Sequence, residues 1–200
     1  MKSIYDFIIE PIGERYNNVK DVGADKQLII NSEISNHLYV NRKAKVIEVP
    51  LAVDTGIKKG DTVIVHHNIF RRWYNVRGVE KNSRAFLSEN KYIAQKDQVY
   101  LYKTNCENSD WQCPDGYCFI QPIKDNSKLS VDVEKPLVGI VKYSDGTVPT
   151  GSLVGFRPNS KFEFIIDGKR LYRVLSNFIT IQYEYQGDEE EYNPSWAQSS

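Results

Sequence analysis

The hydrophobic residues of this chain fall in short runs that alternate with polar turns. The runs are rich in Val, Ile, Tyr and Phe, and Gly, Asn, Asp or Pro bounds them. No stretch keeps a helical period over about twelve residues, so the pattern predicts β-strands throughout. The predicted strands are residues 4–11, 44–49, 62–66, 73–77, 84–87, 98–102, 117–123, 137–143, 152–156, 161–166, 170–174 and 178–185. Asp167-Gly168 suits the two-residue turn of a β-hairpin.

The order of these runs occurs twice. The first copy opens with Phe-Ile-Ile-Glu-Pro-Ile, ending at Ile12, and the second with Phe-Ile-Gln-Pro-Ile, ending at Ile123. A β-branched run follows in each copy, and then a turn into a third strand, led by Gly60 or Gly151. An internal repeat of this kind indicates duplication. The closing segments are also aligned, with Tyr92-Ile93 placed against Phe178-Ile179.

The repeat predicts an all-β protein of two tandem small β-barrels. The first barrel is expected at residues 1–103 and the second at residues 117–186, joined by a Cys-containing linker at residues 104–116. The acidic and polar composition of residues 187–200 predicts a disordered tail.

Composition narrows the class of partner. The chain has 26 basic and 26 acidic residues, which argues against a nucleic-acid protein held by bulk charge. Arg71-Arg72-Trp73-Tyr74 and Arg77 could stack and pair with single-stranded nucleic acid, but a solvated amphipathic strand is the preferred interpretation. No apolar run approaches the ~20 residues of a transmembrane helix. Asp6 and Glu10 interrupt the first apolar stretch, so no signal peptide is expected and the predicted location is cytoplasmic.

Cys106, Cys113 and Cys118 cluster between the two copies. A zinc site would want a Cys-x-x-Cys pair and a fourth ligand, and neither is evident here. The cysteines are therefore expected to be reduced and to bind no metal. A Cys113–Cys118 disulfide is the alternative, disfavoured in a reducing cytosol.

Catalytic patterns are missing from the sequence. His66-His67 lies near Arg71-Arg72, but adjacent residues on a strand point to opposite faces and would not chelate together. The chain has no nucleophile elbow, phosphate loop or His-Glu-x-x-His pattern. We expect no enzyme activity and no cofactor.

The two copies differ most in the loop after the first strand. Pro11 and Lys45 are separated by 33 residues, whereas Pro122 and Val138 are separated by 15. The long loop, about residues 13–43, is polar on both sides of the triplet Leu28-Ile29-Ile30. A long loop that carries an apolar triplet favours a partner-binding segment. The alternative is that the triplet is an ordinary core strand.

The chain resembles the chaperonin-10 (GroES) co-chaperonin family. The resemblance is carried by the opening strand at residues 7–12, by Leu28-Ile29-Ile30, by residues 45–49 and by Lys58-Lys59-Gly60-Asp61-Thr62-Val63-Ile64-Val65. In the second copy it is carried by residues 166–174 and 177–179.

The resemblance implies a barrel protomer that forms a homo-oligomeric ring and caps a GroEL-type chaperonin, enclosing an unfolded client. Seven chains would supply fourteen barrels. In that family a mobile loop carries a hydrophobic triplet into a groove of the chaperonin, and here Leu28, Ile29 and Ile30 match it. ATP hydrolysis belongs to the partner.

Two departures from the family pattern stand out. Residues 50–57 are too few for the family's roof hairpin, and the second copy has only the short loop at residues 124–135. Phage co-chaperonins are similar in their reduced roof, which points to a phage or bacterial origin. The alternative function is a phage structural or interaction protein built from two small β-barrels that binds no chaperonin.

Overall fold

The chain forms two compact units, Met1–Trp111 and Gln112–Ser200. The computed structural model describes residues 2–17, 19–21, 27–29, 36–105, 109–125, 133–184 and 187–198. Each unit is built on a six-stranded antiparallel sheet, which confirms the all-β class. No helix within these described ranges is long and apolar enough to cross a membrane.

The first unit orders its main sheet as β10-β5-β4-β1-β9-β8, and β2–β3 and β6–β7 are separate two-stranded sheets. Its strands are β1 (Phe7–Pro11), β2 (Val19–Asp21), β3 (Gln27–Ile29), β4 (Lys43–Glu48), β5 (Thr62–Val65), β6 (Arg72–Tyr74), β7 (Glu80–Asn82), β8 (Phe86–Ser88), β9 (Lys91–Ala94) and β10 (Val99–Lys103). Its 3₁₀ turns are His37–Tyr39, His67–Ile69 and Lys96–Gln98.

The second unit orders its sheet as β14-β15-β11-β12-β13-β16. Its strands are β11 (Tyr117–Lys124), β12 (Glu134–Ser144), β13 (Leu153–Phe156), β14 (Phe162–Ile166), β15 (Lys169–Leu175) and β16 (Ile179–Gln182). A 3₁₀ turn at Ser176–Phe178 precedes β16, and a short helix, α1, spans Ser195–Gln198.

The two main sheets have the same topology. When the six main strands of each unit are numbered along the chain, both sheets read six-three-two-one-five-four. The correspondence extends to single hydrogen bonds. The Gly60 amide donates to the Val46 carbonyl, and the Gly151 amide donates to the Val141 carbonyl, each at 2.8 Å. The predicted alignment of Gly60 with Gly151 therefore holds in the strand pairing, and both glycines have the positive φ such a turn favours.

The predicted alignment of the closing segments is wrong. Tyr92 pairs with Ile9 in the first unit, and Tyr172 pairs with Ile120 in the second. Tyr92 therefore corresponds to Tyr172 rather than to Phe178, which lies in the 3₁₀ turn before the last strand. The two copies have different numbers of residues before the strand that contains Tyr92 or Tyr172. An alignment based on local sequence similarity therefore matched Tyr92 to Phe178, which lies after the corresponding strand.

Each unit has its own hydrophobic core, which the inward residues of the paired strands supply. Burying such an aliphatic or aromatic side chain stabilises the folded state by roughly 1.5–3 kcal/mol. The first core includes Phe7, Ile9, Val46, Val63, Phe70 and Tyr92. The second includes Ile120, Val141, Val154, Phe156, Tyr172 and Val174.

The predicted linker, residues 104–116, is partly packed. Trp111 is buried in the first unit, where the ammonium of Lys103 lies 4.9 Å from its ring centroid. Cys113 and Cys118 are buried, free thiols of the second unit. Burial raises the pKa of the Cys113 thiol, which keeps it protonated and unreactive at neutral pH. Cys106 lies outside the described residues.

The C-terminal segment does not match the predicted disordered tail. Residues 187–198 lie along the second unit, with Glu191 bridged to Ile123 and the Tyr192 amide donating to the Pro122 carbonyl at 2.8 Å. The Asn193 side chain accepts from the Arg170 amide and donates to the Gly168 carbonyl, both at 3.0 Å. The acidic side chains also form ion pairs, Glu189 with Lys135, Glu190 with Lys124 and Glu191 with Lys169. Composition alone reveals neither these ion pairs nor the backbone hydrogen bonds of the segment.

Candidate partner-binding site

Two hairpins are inserted into the first unit. The β2–β3 hairpin lies within the long connection between β1 and β4, and the β6–β7 hairpin lies between β5 and β8. The matching connection in the second unit, residues 157–161 between β13 and β14, contains no strand. These insertions are the structural features that one unit has and the other, as far as it is described, lacks.

The β2–β3 hairpin carries the predicted binding residues. In this antiparallel pair Lys20 is opposite Leu28 and Val19 is opposite Ile29. Leu28 is 55% exposed and Ile29 is 66% exposed, so neither belongs to the core of the unit. The core-strand alternative is therefore wrong for these two residues. Ile30 lies outside the described residues.

Neighbouring side chains on a strand point to opposite faces. Since Leu28 and Ile29 are both exposed, the hairpin presents an apolar side chain on each face. An isolated two-stranded hairpin is marginally stable in water. A partner that covered one or both faces would bury this apolar surface and add tertiary support to the hairpin.

The base of the insertion is closed by the backbone. Tyr16 and Val40 form an antiparallel bridge, and both side chains are buried. The Asn17 amide donates to the Tyr39 carbonyl at 2.8 Å, and the Asn41 amide donates to the Arg15 carbonyl at 2.9 Å. The two ends of the insertion therefore meet at a fixed point beside the main sheet.

The buried side chain of Asn41 stabilises this base through hydrogen bonds to the backbone. Its side-chain amide donates to the carbonyls of Ile12 and Glu14, each at 2.8 Å. Its side-chain carbonyl accepts from the Lys43 amide, also at 2.8 Å. Asn41 is buried, and these bonds satisfy both of its amide protons.

Arg15 joins the base to the second insertion. Its guanidinium donates twice to the Phe70 carbonyl, at 2.8 and 3.2 Å, and once to the side chain of Asn82 at 2.8 Å. The neighbouring Tyr16 hydroxyl accepts from the Arg72 amide at 2.7 Å. Hydrogen bonds therefore link the base (or root) of the first insertion to the β6–β7 hairpin.

The β6–β7 hairpin is also apolar on its surface. Trp73, Tyr74, Val76 and Val79 are exposed, and the side chain of Asn75 accepts from two amides of the connecting turn. The pattern of residues predicted a strand at 73–77 but did not predict β7 or the insertion. The length of this connection could have indicated the insertion, because 25 residues separate His66 from Tyr92 whereas only 14 separate the matching Arg157 from Tyr172.

The predicted arrangement of His66 and His67 is also corrected. Strand β5 ends at Val65, and His67 opens a 3₁₀ turn. The two imidazoles consequently stack, with ring centroids 4.3 Å apart, instead of pointing to opposite faces. In the described part of the chain, no group of three or more His, Cys, Asp or Glu side chains is arranged to hold a metal ion.

The connection between β4 and β5 agrees with the expected lack of a roof hairpin. Residues 49–61 contain no strand, and Pro50 forms only an isolated parallel bridge with Ser3. The Leu51 amide donates to the Ser3 carbonyl at 3.1 Å, which holds this connection against the N-terminal residues. In the second unit, most of the short loop at residues 124–135 lies outside the described residues.

Neither a scan of protein-family models nor a search of curated proteins returned a match for this chain. Function is therefore inferred from the twin sheets and from the exposed hairpins of the first unit. Of the predicted triplet, Leu28 and Ile29 lie on one short strand and are open to solvent.

Proposed function

We propose that the protein is a co-chaperonin that caps a GroEL-type chaperonin and assists ATP-dependent protein folding. The hairpin residues Leu28 and Ile29, with the adjoining Ile30, enter a hydrophobic groove of the chaperonin. The observation that carries this proposal is the exposure of Leu28 and Ile29 on both faces of an inserted hairpin. Short apolar anchors that fill a partner's groove are a recurring mode of recognition.

The energetics favour many weak contacts over one strong contact. Fully burying an aliphatic side chain gains roughly 1.5–3 kcal/mol, so a few such anchors on one chain give modest affinity after the cost of association. Several hairpins on one ring would bind together and raise the overall affinity without any new contact. This requirement supports a homo-oligomeric ring, for which seven chains is the arrangement that the family resemblance suggests.

The duplicated scaffold supports the same proposal. Each sheet would close as a small GroES-like barrel, the first to engage the chaperonin and the second to serve assembly, lid or spacing. The chaperonin hydrolyses ATP and encloses the unfolded client, so this chain needs no catalytic group. The site of action would be the cytoplasm of a bacterium or of a phage-infected host.

The test is to replace Leu28, Ile29 and Ile30 together by Ser. We expect the variant to keep its circular dichroism spectrum and to lose its nucleotide-dependent complex with an ATP-loaded chaperonin. Leu51→Ser is the matched control, because Leu51 is 67% exposed but lies in the β4–β5 connection. Binding that survived the triple replacement would show that the hairpin is not the contact.

The chaperonin's ATPase separates this function from the alternative. A co-chaperonin slows or synchronises ATP hydrolysis by the chaperonin and binds it only with nucleotide. A structural protein of a phage particle would do neither, so an unchanged ATPase with the wild-type chain would favour that alternative.

A further inference from the structure

A C-terminal strap, residues 189–197, lies along the second unit as an additional extended segment. Strand β15 pairs with β11 only as far as Ile120, and the strap lies beside the rest of β11, where Glu191 is bridged to Ile123. Two backbone hydrogen bonds join the strap to β11, at 2.8 and 2.9 Å. An extended peptide that adds to the free edge of a strand is a recurring mode of protein recognition.

Polar groups on both sides of the strap fix its position. The buried side chain of Gln121 on β11 donates to the Tyr192 carbonyl at 3.2 Å. On the other side, the Asn193 side chain accepts from the Arg170 amide and donates to the Gly168 carbonyl, both at 3.0 Å. The strap therefore occupies a groove between the end of β11 and the start of β15, and both walls of the groove supply hydrogen bonds.

The rim of this groove is basic and the strap is acidic. Three ion pairs join them, Glu189–Lys135, Glu190–Lys124 and Glu191–Lys169, with nitrogen–oxygen distances of 3.4, 2.8 and 3.3 Å. The guanidinium carbon of Arg170 lies 5.5 Å from the ring centroid of Trp196, which is a cation–π contact. The groove therefore suits a run of carboxylates that is followed by an aromatic side chain.

These contacts hold the strap without burying it deeply. Trp196, its largest side chain, is 49% exposed, and both partners of the Lys169–Glu191 ion pair are almost half exposed. Exposed ion pairs of this kind stabilise only weakly. The buried side-chain carbonyl of Gln121 has no hydrogen-bond partner among the described residues, so the strap leaves one acceptor of the groove unused. A segment held in this way opens locally at low cost.

The first unit shows that the sheet does not require a strap. Ile12 matches Ile123 in the repeated sequence, and Ile12 is 43% exposed whereas Ile123 is fully buried. The two main sheets nevertheless share one topology. Glu10 stands where the second unit has Gln121, and its charge would repel an acidic segment. The groove is therefore a property of the second unit alone.

We propose that this groove is a binding site for an extended acidic segment of a partner protein, and that the strap is its resident, displaceable ligand. The basic rim selects the charge of the segment, and the amide of Gln121 selects an extended backbone. Because the strap is tethered to the chain, its effective concentration at the groove is high. A partner segment binds when its own affinity exceeds this competition, for instance by donating to the unused carbonyl of Gln121.

The probe is a fluorescein-labelled peptide with the sequence of residues 187–198, added to the full-length chain. A strap variant, Glu191→Lys with Asn193→Ala, weakens the resident ligand and leaves the groove intact. We expect the peptide to bind this variant saturably and at least about tenfold more tightly than it binds the wild type, in which the strap competes. Fluorescence anisotropy measures the affinity, and circular dichroism checks the fold. Binding that does not saturate in the strap variant would refute the groove.

Charge reversal tests where the peptide binds. Lys169→Glu, added to the strap variant, should weaken peptide binding by about tenfold or more, because repulsion replaces attraction to the glutamates. Lys142→Glu, on β12 and outside the groove, is the matched control and should leave binding unchanged. Equal weakening by the two changes would show diffuse attraction to basic surface and overturn the site.

Native mass spectrometry separates a partner protein from a second copy of this chain. If the groove held the strap of a neighbouring copy, the strap variant would lose the oligomer that the wild type forms, and the proposal would be wrong. We expect the same oligomer from both chains. None of these measurements uses a chaperonin, so their outcome is independent of the proposed co-chaperonin function.

Discussion

Single residues decide how closely the strands of each sheet approach. Gly139 on β12 is opposite Pro122 of β11 and Val154 of β13. A Cβ atom on Gly139 would lie 2.5 Å from the carbonyl oxygen of Gln121 and 2.6 Å from a methyl group of Ile120. The matching position in the first unit, opposite Pro11, is Ala44, so the two otherwise equivalent strand pairs differ in how much room they leave.

Gly139→Ala should therefore destabilise the second unit by about 1–3 kcal/mol, the usual cost of forcing an extra carbon into a packed interior. Urea denaturation followed by circular dichroism measures the change. Gly155→Ala is the comparison, because the three atoms nearest to its Cβ would belong to the side chains of Tyr183 and Ile181, at 3.2–3.4 Å, whereas the nearest atom to a Cβ on Gly139 is a backbone oxygen at 2.5 Å. Wild-type stability in Gly139→Ala would mean that the β11–β12 backbone yields easily and that Gly139 is not required.

At the scale of elements, the sequence predicted most of the strands but few of the strand pairings. Period-two runs with clear boundaries, such as the β14–β15 hairpin around Asp167-Gly168, lie where they were expected. The β6–β7 hairpin was missed because its second strand, Glu80–Asn82, is polar and exposed and has no hydrophobic pattern. The docking of residues 187–198 was missed because backbone hydrogen bonds hold it, and composition does not encode them.

The candidate site shows the same division. The apolar triplet was visible in the sequence, because an apolar run inside a long polar segment is unusual. The residues that root the insertion, Arg15, Tyr16 and Asn41, were not predicted, since each acts through backbone carbonyls and amides distant in sequence. Polar residues used in this way look like ordinary loop residues until the fold brings their partners together.

Asn41→Ala should loosen the root of the first insertion and leave the main sheet folded. The change removes the bonds to the carbonyls of Ile12 and Glu14, and unpaired buried groups cost about 1–3 kcal/mol. If that cost falls on local opening, protection of the Asn17 amide from hydrogen exchange should drop by about fivefold to a hundredfold. Asn75→Ala is the control, since it should release only the turn amides of Arg77 and Val79. Unchanged protection at Asn17 in Asn41→Ala would show that the Tyr16–Val40 bridge holds the root alone.

On the scale of the whole molecule, the two main sheets share a topology and differ in the connections between their strands. The corresponding pairs β1–β4 and β11–β12 share one register shift at the same place, between Ile8 and Ile9 in β1 and between Phe119 and Ile120 in β11, and β11–β12 has a second shift between Pro122 and Lys124. Such agreement is the expected result of duplicating one scaffold and then changing only the connections. Under the proposed function, assembly would use the shared scaffold and capture of the chaperonin would use the inserted hairpin.

That separation of roles can be tested by excising the hairpin at its root. The bond from the Asn17 amide to the Tyr39 carbonyl brings the chain ends together, so Asn-Gly, a favoured two-residue hairpin turn, can replace residues 18–38. Because Tyr16, Val40 and Asn41 are kept, the main sheet should fold. Native mass spectrometry should then show the same oligomer as the wild type and no complex with an ATP-loaded chaperonin. An oligomer that fell apart would assign the hairpin to assembly, and a complex that persisted would place the chaperonin contact elsewhere, with the exposed β6–β7 hairpin the next surface to mutate.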